Sequence, residues 1–141
     1  MKKWLIFLFI FSLGMLFACQ KEQGAEGIID QLSQVSFEQV QRDVTRYYAE
    51  NKLEECSDRL VGTRVRWSGK IMILTRDGTV RVVMGNSPSP NGEFKVSEEM
   101  VKSFRTGQTI SFTGTIESIE VLETFPPMPK AFVRFKQVLV E

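Results

Sequence analysis

Residues 63–73 read TRVRWSGKIMI, and this stretch decides the fold. Apolar and polar residues alternate along it, which is typical of a β-strand with one buried face. A glycine in the middle of so long a strand indicates a bulge or a sharp bend, as in a barrel that closes on itself. The inward row that this pattern predicts is Val65, Trp67, Gly69, Ile71 and Ile73.

The next two strands are predicted from the turn signals that follow. Asp77-Gly78 is a strong hairpin signal, and residues 79–84 (TVRVVM) form the return strand. Residues 85–92 (GNSPSPNG) are rich in turn formers and predict an exposed loop. Residues 93–96 then form a short third strand.

The last two strands are longer. The fourth begins at Thr109, and its inward apolar row slips after Ile116, so that Ile119 continues it past Ser118. A bulge near Ser118 explains this slip. Residues 125–129 (FPPMP) interrupt the chain before the last strand, residues 130–141. The predicted inward row of that strand is Ala131, Val133, Phe135 and Leu139.

Helices are predicted before and between the strands. Residues 36–39 read SFEQ, a capping box that starts a helix running to about Glu50. Residues 51–60 predict a second short helix, and Ser97 caps a third that ends near Phe104. We expect the first helix to cover an open end of the barrel; a partner-binding element is the alternative.

The fold class is therefore mainly β with an N-terminal helix: a five-stranded OB-type Greek-key barrel of order β-β-β-α-β-β. Residues 67–71 (WSGKI) and 107–114 (GQTISFTG) resemble phrases of the small exported tRNA-anti-like OB proteins. The resemblance covers residues 62–141, and in that family too a helix precedes the barrel. It implies the fold and not the binding of tRNA. Residues 28–61 are assigned to a helical segment ahead of the barrel.

The N-terminal residues predict export. Lys2 and Lys3 precede an almost wholly apolar run of fifteen residues, 4–18. That run is shorter than the roughly 17–25 residues of a membrane-spanning helix and fits the core of a secretory signal. Residues 1–18 are therefore predicted to be a cleaved signal peptide.

The end of this run resembles the lipobox of bacterial lipoproteins. Residues 16–19 read LFAC, and the resemblance implies that Cys19 carries a diacylglyceryl group after cleavage before it. Two or more acyl chains hold a protein stably on a membrane, and residues 19–27 then form a tether. Gln20 favours the outer membrane, on its periplasmic side, if the cell is Gram-negative. An ordinary cleaved signal and an uncleaved anchor helix are the alternatives.

Composition excludes several functional classes. The chain has 18 Lys+Arg against 17 Asp+Glu and no His; without Lys2 and Lys3 the balance is 16 against 17, a net charge of −1. A near-neutral domain lacks the field that drives general nucleic-acid binding. The absence of His excludes His-dependent catalytic triads and imidazole metal ligands. No catalytic or phosphate-binding motif appears, so we expect no enzyme activity, no metal and no cofactor.

Two sets of residues are candidates for binding. The outward rows of the first and last strands carry Arg64, Arg66, Lys70, Phe132 and Arg134. Cations interleaved with an aromatic ring suit an oligonucleotide or an anionic glycan; cross-strand pairing on a solvated surface is the alternative. The second candidate is Phe125, which a rigid proline-rich loop presents for docking to a protein.

These features predict a non-catalytic, membrane-anchored lipoprotein of the bacterial cell envelope. Its OB-fold serves as an interaction module for a protein or another envelope component. The alternative is an oligonucleotide- or glycan-binding OB module that uses the outward basic and aromatic residues. Export counts against nucleic acid as the ligand. The tight turn at Asp77-Gly78 also counts against it, because OB domains that bind ligands often use that loop as one side of the binding cleft. Cys56 is expected to be buried as a small apolar residue.

Substitution Cys19→Ala tests the anchor. It removes the sulfur that would carry the acyl group, so we expect the protein to leave the membrane fraction of expressing cells. Immunoblotting of membrane and soluble fractions measures this, with Cys56→Ala as the matched control that stays in the membrane fraction. Retention of the Cys19→Ala variant in the membrane would contradict acyl anchoring.

Overall fold

The structure, a computed structural model, describes residues 32–124 and 128–141. The predicted signal peptide, Cys19, the tether and Phe125 lie outside the described residues. The described part is mainly β, with a closed five-stranded barrel and a few short helices. None of these helices is long and apolar enough to cross a membrane.

The described helices are α1 (Phe37–Ala49), α2 (Leu53–Leu60) and α3 (Glu98–Ser103). The strands are β1 (Arg64–Leu74), β2 (Thr79–Val83), β3 (Gly92–Lys95), β4 (Thr109–Thr124) and β5 (Met128–Val140). Each element lies close to its predicted position, because turn residues separate the elements clearly in the sequence.

The strands close in the order β1-β2-β3-β5-β4, with β4 returning to β1. Four of the pairings are antiparallel, and β3 with β5 is the parallel one that closes the barrel, at Gly92↔Val133 and Glu93↔Arg134. β1 and β5 are therefore not neighbours, and β4 lies between them. This arrangement is consistent with an OB-like barrel.

Aromatic rings fill the barrel interior. Trp67 on β1 lies edge-on to Phe135 on β5, with ring centroids 5.6 Å apart. Phe112 on β4 lies 5.1 Å from Phe135 and 4.9 Å from Phe94 on β3. Edge-to-face pairs of this kind add stability beyond the burial of their area. The interior is thus fixed by one connected group of rings drawn from four strands.

Two predictions about the inward rows are wrong, and both errors follow from bulges. The β1–β2 register shifts between Ile71 and Ile73, so Ile73 is 40% exposed and Leu74 packs against the core in its place. In β5, Gln137 has a φ of 52°, and this left-handed residue reverses the alternation. Leu139 is consequently 62% exposed, and Val138 and Val140 pack against the core instead. The bulge predicted in β4 is confirmed, between Ile116 and Ser118.

The predicted hairpin at Asp77-Gly78 has a clear physical basis. Gly78 has a φ of +89°, and a Cβ there would lie 2.2 Å from the carbonyl oxygen of Val96. The Asp77 carboxylate accepts hydrogen bonds from the hydroxyls of Thr75 and Thr79. The bond from Thr75 is the main reason that the pKa of Asp77 lies below its usual value. Both residues are therefore required by the geometry of the turn.

Helix α1 adds an apolar face to the barrel core. The Ser36 hydroxyl caps it by accepting from the Gln39 amide at 3.2 Å, as the sequence predicts. Phe37, Val40 and Val44 are buried with the barrel residues, and Phe37 lies edge-on to Trp67 at 5.7 Å. The helix is thus packed on the barrel.

Cys56 on α2 is buried, as predicted, and forms no disulfide. Burial is the main cause that raises the pKa of its thiol, and the nearby carboxylate of Asp43 adds to it. A buried thiol with a raised pKa is mostly protonated and reacts slowly. The structure therefore gives Cys56 a packing role.

Gly69 is required by the close approach of β1 and β2. A Cβ at this position would lie 2.9 Å from Cβ of Val82, an atom fixed to the backbone of β2. We expect Gly69→Ala to lower the free energy of unfolding by about 1–3 kcal/mol, because the strands must move apart. Urea unfolding measures this, with the exposed neighbour Lys70→Ala as control. Equal stability of the Gly69→Ala variant and the wild type would show that the barrel relaxes freely here.

Candidate functional site

The basic row on β1 lies on the outside of the barrel, as predicted. Arg66 and Lys70 are exposed and Arg64 is half-buried. Arg66 forms an ion pair with Glu141, the last residue of the chain, across the face of β4. Arg64 and Lys70 form no ion pair within residues 32–124 and 128–141. This row therefore keeps two of its three cations available.

The row on β5 has a different environment. Arg134 binds two carboxylates, that of Glu120 on β4 and that of Glu93 on β3, the latter at 3.3 Å. Its guanidinium also lies 5.7 Å from the ring centroid of Phe132. Phe132 is only 8% exposed, although the strand alternation places it in the outward row. Little of this ring is left for a base or a sugar to stack on.

The two candidate rows do not form one surface. β4 lies between β1 and β5, and its outward Thr113 and Thr115 are themselves buried. An anionic polymer that contacted both rows would have to cross this strand. The structure thus brings Phe132 and Arg134 together and keeps them apart from Arg64, Arg66 and Lys70. Phe125, the remaining candidate, lies outside the described residues.

A groove lies beside helix α1, and no local sequence pattern predicts it. We call it the α1 groove. Its volume is about 710 Å³ and it opens to solvent on one side. One edge of α1 forms one wall, the β2–β3 loop forms the other, and the start of β5 lies at the base. The residues that line it are Phe37, Glu38, Gln41, Arg42, Thr45, Arg46, Met84, Gly85, Asn86, Ser87, Asn91, Pro129 and Lys130.

Gln41 fixes the helical wall to the barrel. Its side-chain amide donates to the carbonyl of Pro129 at 2.9 Å, and its Oε1 accepts from the amide of Ala131 at 2.9 Å. One side chain therefore pairs with the backbone of β5 as a strand would. Because both bonds are made, α1 is held at a fixed distance and rotation relative to the base of the α1 groove.

Asn91 fixes the opposite wall. It is buried, its Oδ1 accepts from the amide of Met84 at 2.7 Å, and its Nδ2 donates to the Met84 carbonyl at 2.8 Å. Within the loop, the Ser87 hydroxyl donates to the carbonyl of Ser89 at 2.8 Å. The sequence analysis described this segment only as an exposed loop, whereas the structure gives it an internal hydrogen-bond framework.

The lining of the α1 groove is apolar inside and positive at its rim. Phe37, Met84 and Pro129 supply apolar surface. Arg46 pairs with Asp43 at 3.1 Å. In contrast, Arg42 and Lys130 form no ion pair with any residue in the part of the chain that the structure describes. The groove thus combines hydrophobic surface with two unneutralised cations, a composition typical of binding sites.

The acidic residues of the described part do not assemble into a metal site. No group of three or more His, Cys, Asp or Glu side chains there is close enough to hold a metal ion. Glu54, Glu55 and Asp58 are exposed on α2, and Glu120 pairs with Arg134. Among the described residues, the α1 groove is therefore the best-defined candidate site.

Comparison with known proteins adds no family to this description. No protein-family model, no curated protein and no solved structure matches the chain. The function proposed below is therefore derived from the sequence and from the geometry of the site.

Asn91→Ala tests the framework of the β2–β3 loop. It leaves the buried amide and carbonyl of Met84 without partners, so we expect the free energy of unfolding to fall by about 1–3 kcal/mol. Protease cleavage within residues 84–91 should become faster because the wall loses its support. Urea unfolding and limited proteolysis measure the two effects. Ser89→Ala, in the same loop, should change neither; equal behaviour of the two variants would exclude this role for Asn91.

Proposed function

We propose that this protein is a non-catalytic lipoprotein of the bacterial cell envelope, anchored through acyl chains on Cys19. Its folded part would be an OB-fold of Greek-key type that serves as an interaction module for a protein or another envelope component. The observation that carries this proposal is the α1 groove, a preformed and mostly apolar groove in which Arg42 and Lys130 form no ion pair with any described residue. A groove that only binds a partner requires no catalytic group.

The anchor is supported by residues at the beginning of the sequence. The pair Lys2-Lys3, the apolar run of residues 4–18 and LFAC at residues 16–19 together make the pattern of a lipoprotein signal. Residues 20–27 (QKEQGAEG) are polar and contain two glycines, a composition suited to a flexible tether. A tethered domain searches only the zone near its membrane, where the anchor raises its effective concentration.

A binding partner at the α1 groove is favoured over an anionic polymer on the outer strands. In the outward rows, Arg66 and Arg134 are occupied by carboxylates, and Phe132 is largely buried. An oligonucleotide or glycan would have to displace these ion pairs. Arg64 and Lys70 alone offer too little charge for a continuous anionic strand. The oligonucleotide- or glycan-binding function is therefore the second candidate.

Site-specific photo-crosslinking in intact cells tests the proposal. The full chain carries benzoylphenylalanine at Asn86, in the α1 groove, or at Lys70, on the outer face of β1. We expect adducts at position 86 that protease degrades and nuclease or glycosidase does not, and far fewer adducts at position 70. The Cys19→Ala background should reduce the adducts at position 86, because the anchor brings the two partners together.

The opposite pattern would refute this assignment. Adducts at position 70 that nuclease or glycosidase removes would support the second candidate. That candidate also predicts a strongly salt-dependent affinity for oligothymidylate or heparin, lost when Lys70 and Arg66 are both replaced by Gln. If this double substitution leaves the affinity for those polymers unchanged, the outer face of β1 is not their binding site either.

A further inference from the structure

The α1 groove has the length of a short extended peptide. Its helical wall runs from Phe37 to Arg46. Nine residue steps along an α-helix cover about 13–14 Å, at roughly 1.5 Å per residue. An extended chain advances about 3.3 Å per residue, so the wall matches about four residues of such a chain. Because the groove is open on one side, a segment within a longer protein is able to enter it without threading.

The loop wall offers unpaired backbone groups to such a segment. In the described part of the chain, Gly85 and Asn86 make no hydrogen bond to another backbone group. Gly85 also lacks a side chain that would cover its own peptide groups. An extended peptide carries a donor and an acceptor at every residue and pairs with exposed backbone of this kind. A hydrocarbon chain that displaced water from these groups would leave them unsatisfied.

The charges of the α1 groove select an acidic occupant. Three cations line it, Arg42, Arg46 and Lys130, against the carboxylate of Glu38. Only Arg46 among these cations has an ion pair within residues 32–124 and 128–141, with Asp43 at 3.1 Å. Arg42 lies on the helical wall and Lys130 lies on the base, at the start of β5. A segment in the groove that carries carboxylates is therefore able to meet either cation.

The end of the α1 groove at Phe37 differs. A Cβ placed on Gly85 would lie 3.6 Å from the Phe37 ring and 3.8 Å from the Glu38 carboxylate, so these residues meet where the loop approaches the helix. Phe37 and Met84 line this end but are only 8% and 1% exposed, so they offer little surface to an occupant. Glu38 repels an acidic side chain at this end. The carboxylates of an occupant are therefore expected near Arg42 and Lys130 and away from Glu38.

We propose that the α1 groove binds an extended acidic peptide segment of a partner protein, with carboxylates at Arg42 and Lys130. This inference rests on the proposed function and names the occupant of the same site. Charge complementarity and unpaired loop backbone together select this class of ligand. Anionic lipid and neutral peptide are the competing occupants that an experiment must separate.

Two matched peptide libraries test the inference with the full chain purified in detergent. Both are fluorescein-labelled hexapeptides; one holds Glu at two positions, and the second has Gln in place of each Glu. Fluorescence anisotropy measures binding. We expect the Glu library to contain ligands that bind at least about tenfold more tightly than their Gln counterparts, because two carboxylates meet two cations.

Variants locate the binding. Arg42→Gln and Lys130→Gln should each weaken the selected Glu peptide about threefold, as loss of one exposed ion pair does. They should leave its Gln counterpart unchanged. Arg105→Gln, an exposed arginine that does not line the α1 groove, should have no effect. Glu38→Trp, at an exposed residue of α1 that lines the groove, should block both libraries by filling the groove, while thermal unfolding remains that of the wild type.

Each other outcome overturns the inference in a distinguishable way. If Gln peptides bind as tightly as Glu peptides and Glu38→Trp blocks both, the groove docks peptides but the acidic occupant is wrong, and the proposed function stands. If only vesicles of phosphatidylglycerol bind and Glu38→Trp releases them, the occupant is anionic lipid. If no peptide binds, the inference fails, and the crosslinking at position 86 decides the proposed function independently.

Discussion

The packing of Trp67 is the interaction on which the rest of the structure depends. Its ring lies edge-on to Phe135 inside the barrel and edge-on to Phe37 at the start of α1, at 5.6 Å and 5.7 Å. Its indole Nε1 also donates to the carbonyl of Val35 at 2.8 Å, just before the helix begins. One residue of β1 thus joins the strand interior, the helix and the chain that leads into the helix. Together with the two hydrogen bonds of Gln41 to β5, it fixes the position of α1 on the barrel.

That fixed position creates the candidate site. Two walls drawn from distant parts of the chain are each held by one bidentate amide, Gln41 on the helix and Asn91 on the loop. An amide side chain offers a donor and an acceptor together, so it pairs with backbone in the manner of a strand. Such bonds hold a surface open and preformed, which lowers the entropy cost of binding. The α1 groove is therefore a property of the native packing and needs no ligand to form.

The distribution of charge separates the outside of the barrel from the α1 groove. On the strands, Glu93 bridges Arg81 and Arg134, and Glu141 pairs with Arg66. These pairs stabilise the sheet surface modestly and reduce its attraction for anions, although Arg64 and Lys70 remain without an ion pair among the described residues. In the α1 groove, Arg42 and Lys130 likewise have no such partner among the described residues. There the two cations lie beside a groove, which suits recognition of a specific partner.

The sequence by itself determined the order of the elements and the residues that fill the core. Several signals are local and can be identified without the rest of the chain. They are the period-two alternation in β1 and β4, the Asp77-Gly78 turn and the Ser36 cap. The wrong positions, Ile73 and Leu139, lie at or beyond bulges, and one extra residue reverses every later side chain. Gly69 indicated a bulge or a bend in β1 but did not locate the shift between Ile71 and Ile73, and no local pattern indicated the bulge at Gln137. The lipobox-like LFAC is likewise a local signal, and the anchor that it predicts depends on sequence alone.

Only the tertiary structure decided where binding surface and free charge occur. Residues 37–46, 84–91 and 129–130 form one groove, yet each segment, read alone, is an ordinary helix, loop or strand end. Arg42 lies between Gln41 and Asp43 and Arg66 lies between Val65 and Trp67, and neither local pattern shows which of the two cations forms an ion pair. The difference arises because folding places Glu141 against Arg66 and places no carboxylate of the described chain against Arg42. Ion pairing between residues far apart in sequence is a consequence of the three-dimensional arrangement, and so is the site that it leaves open.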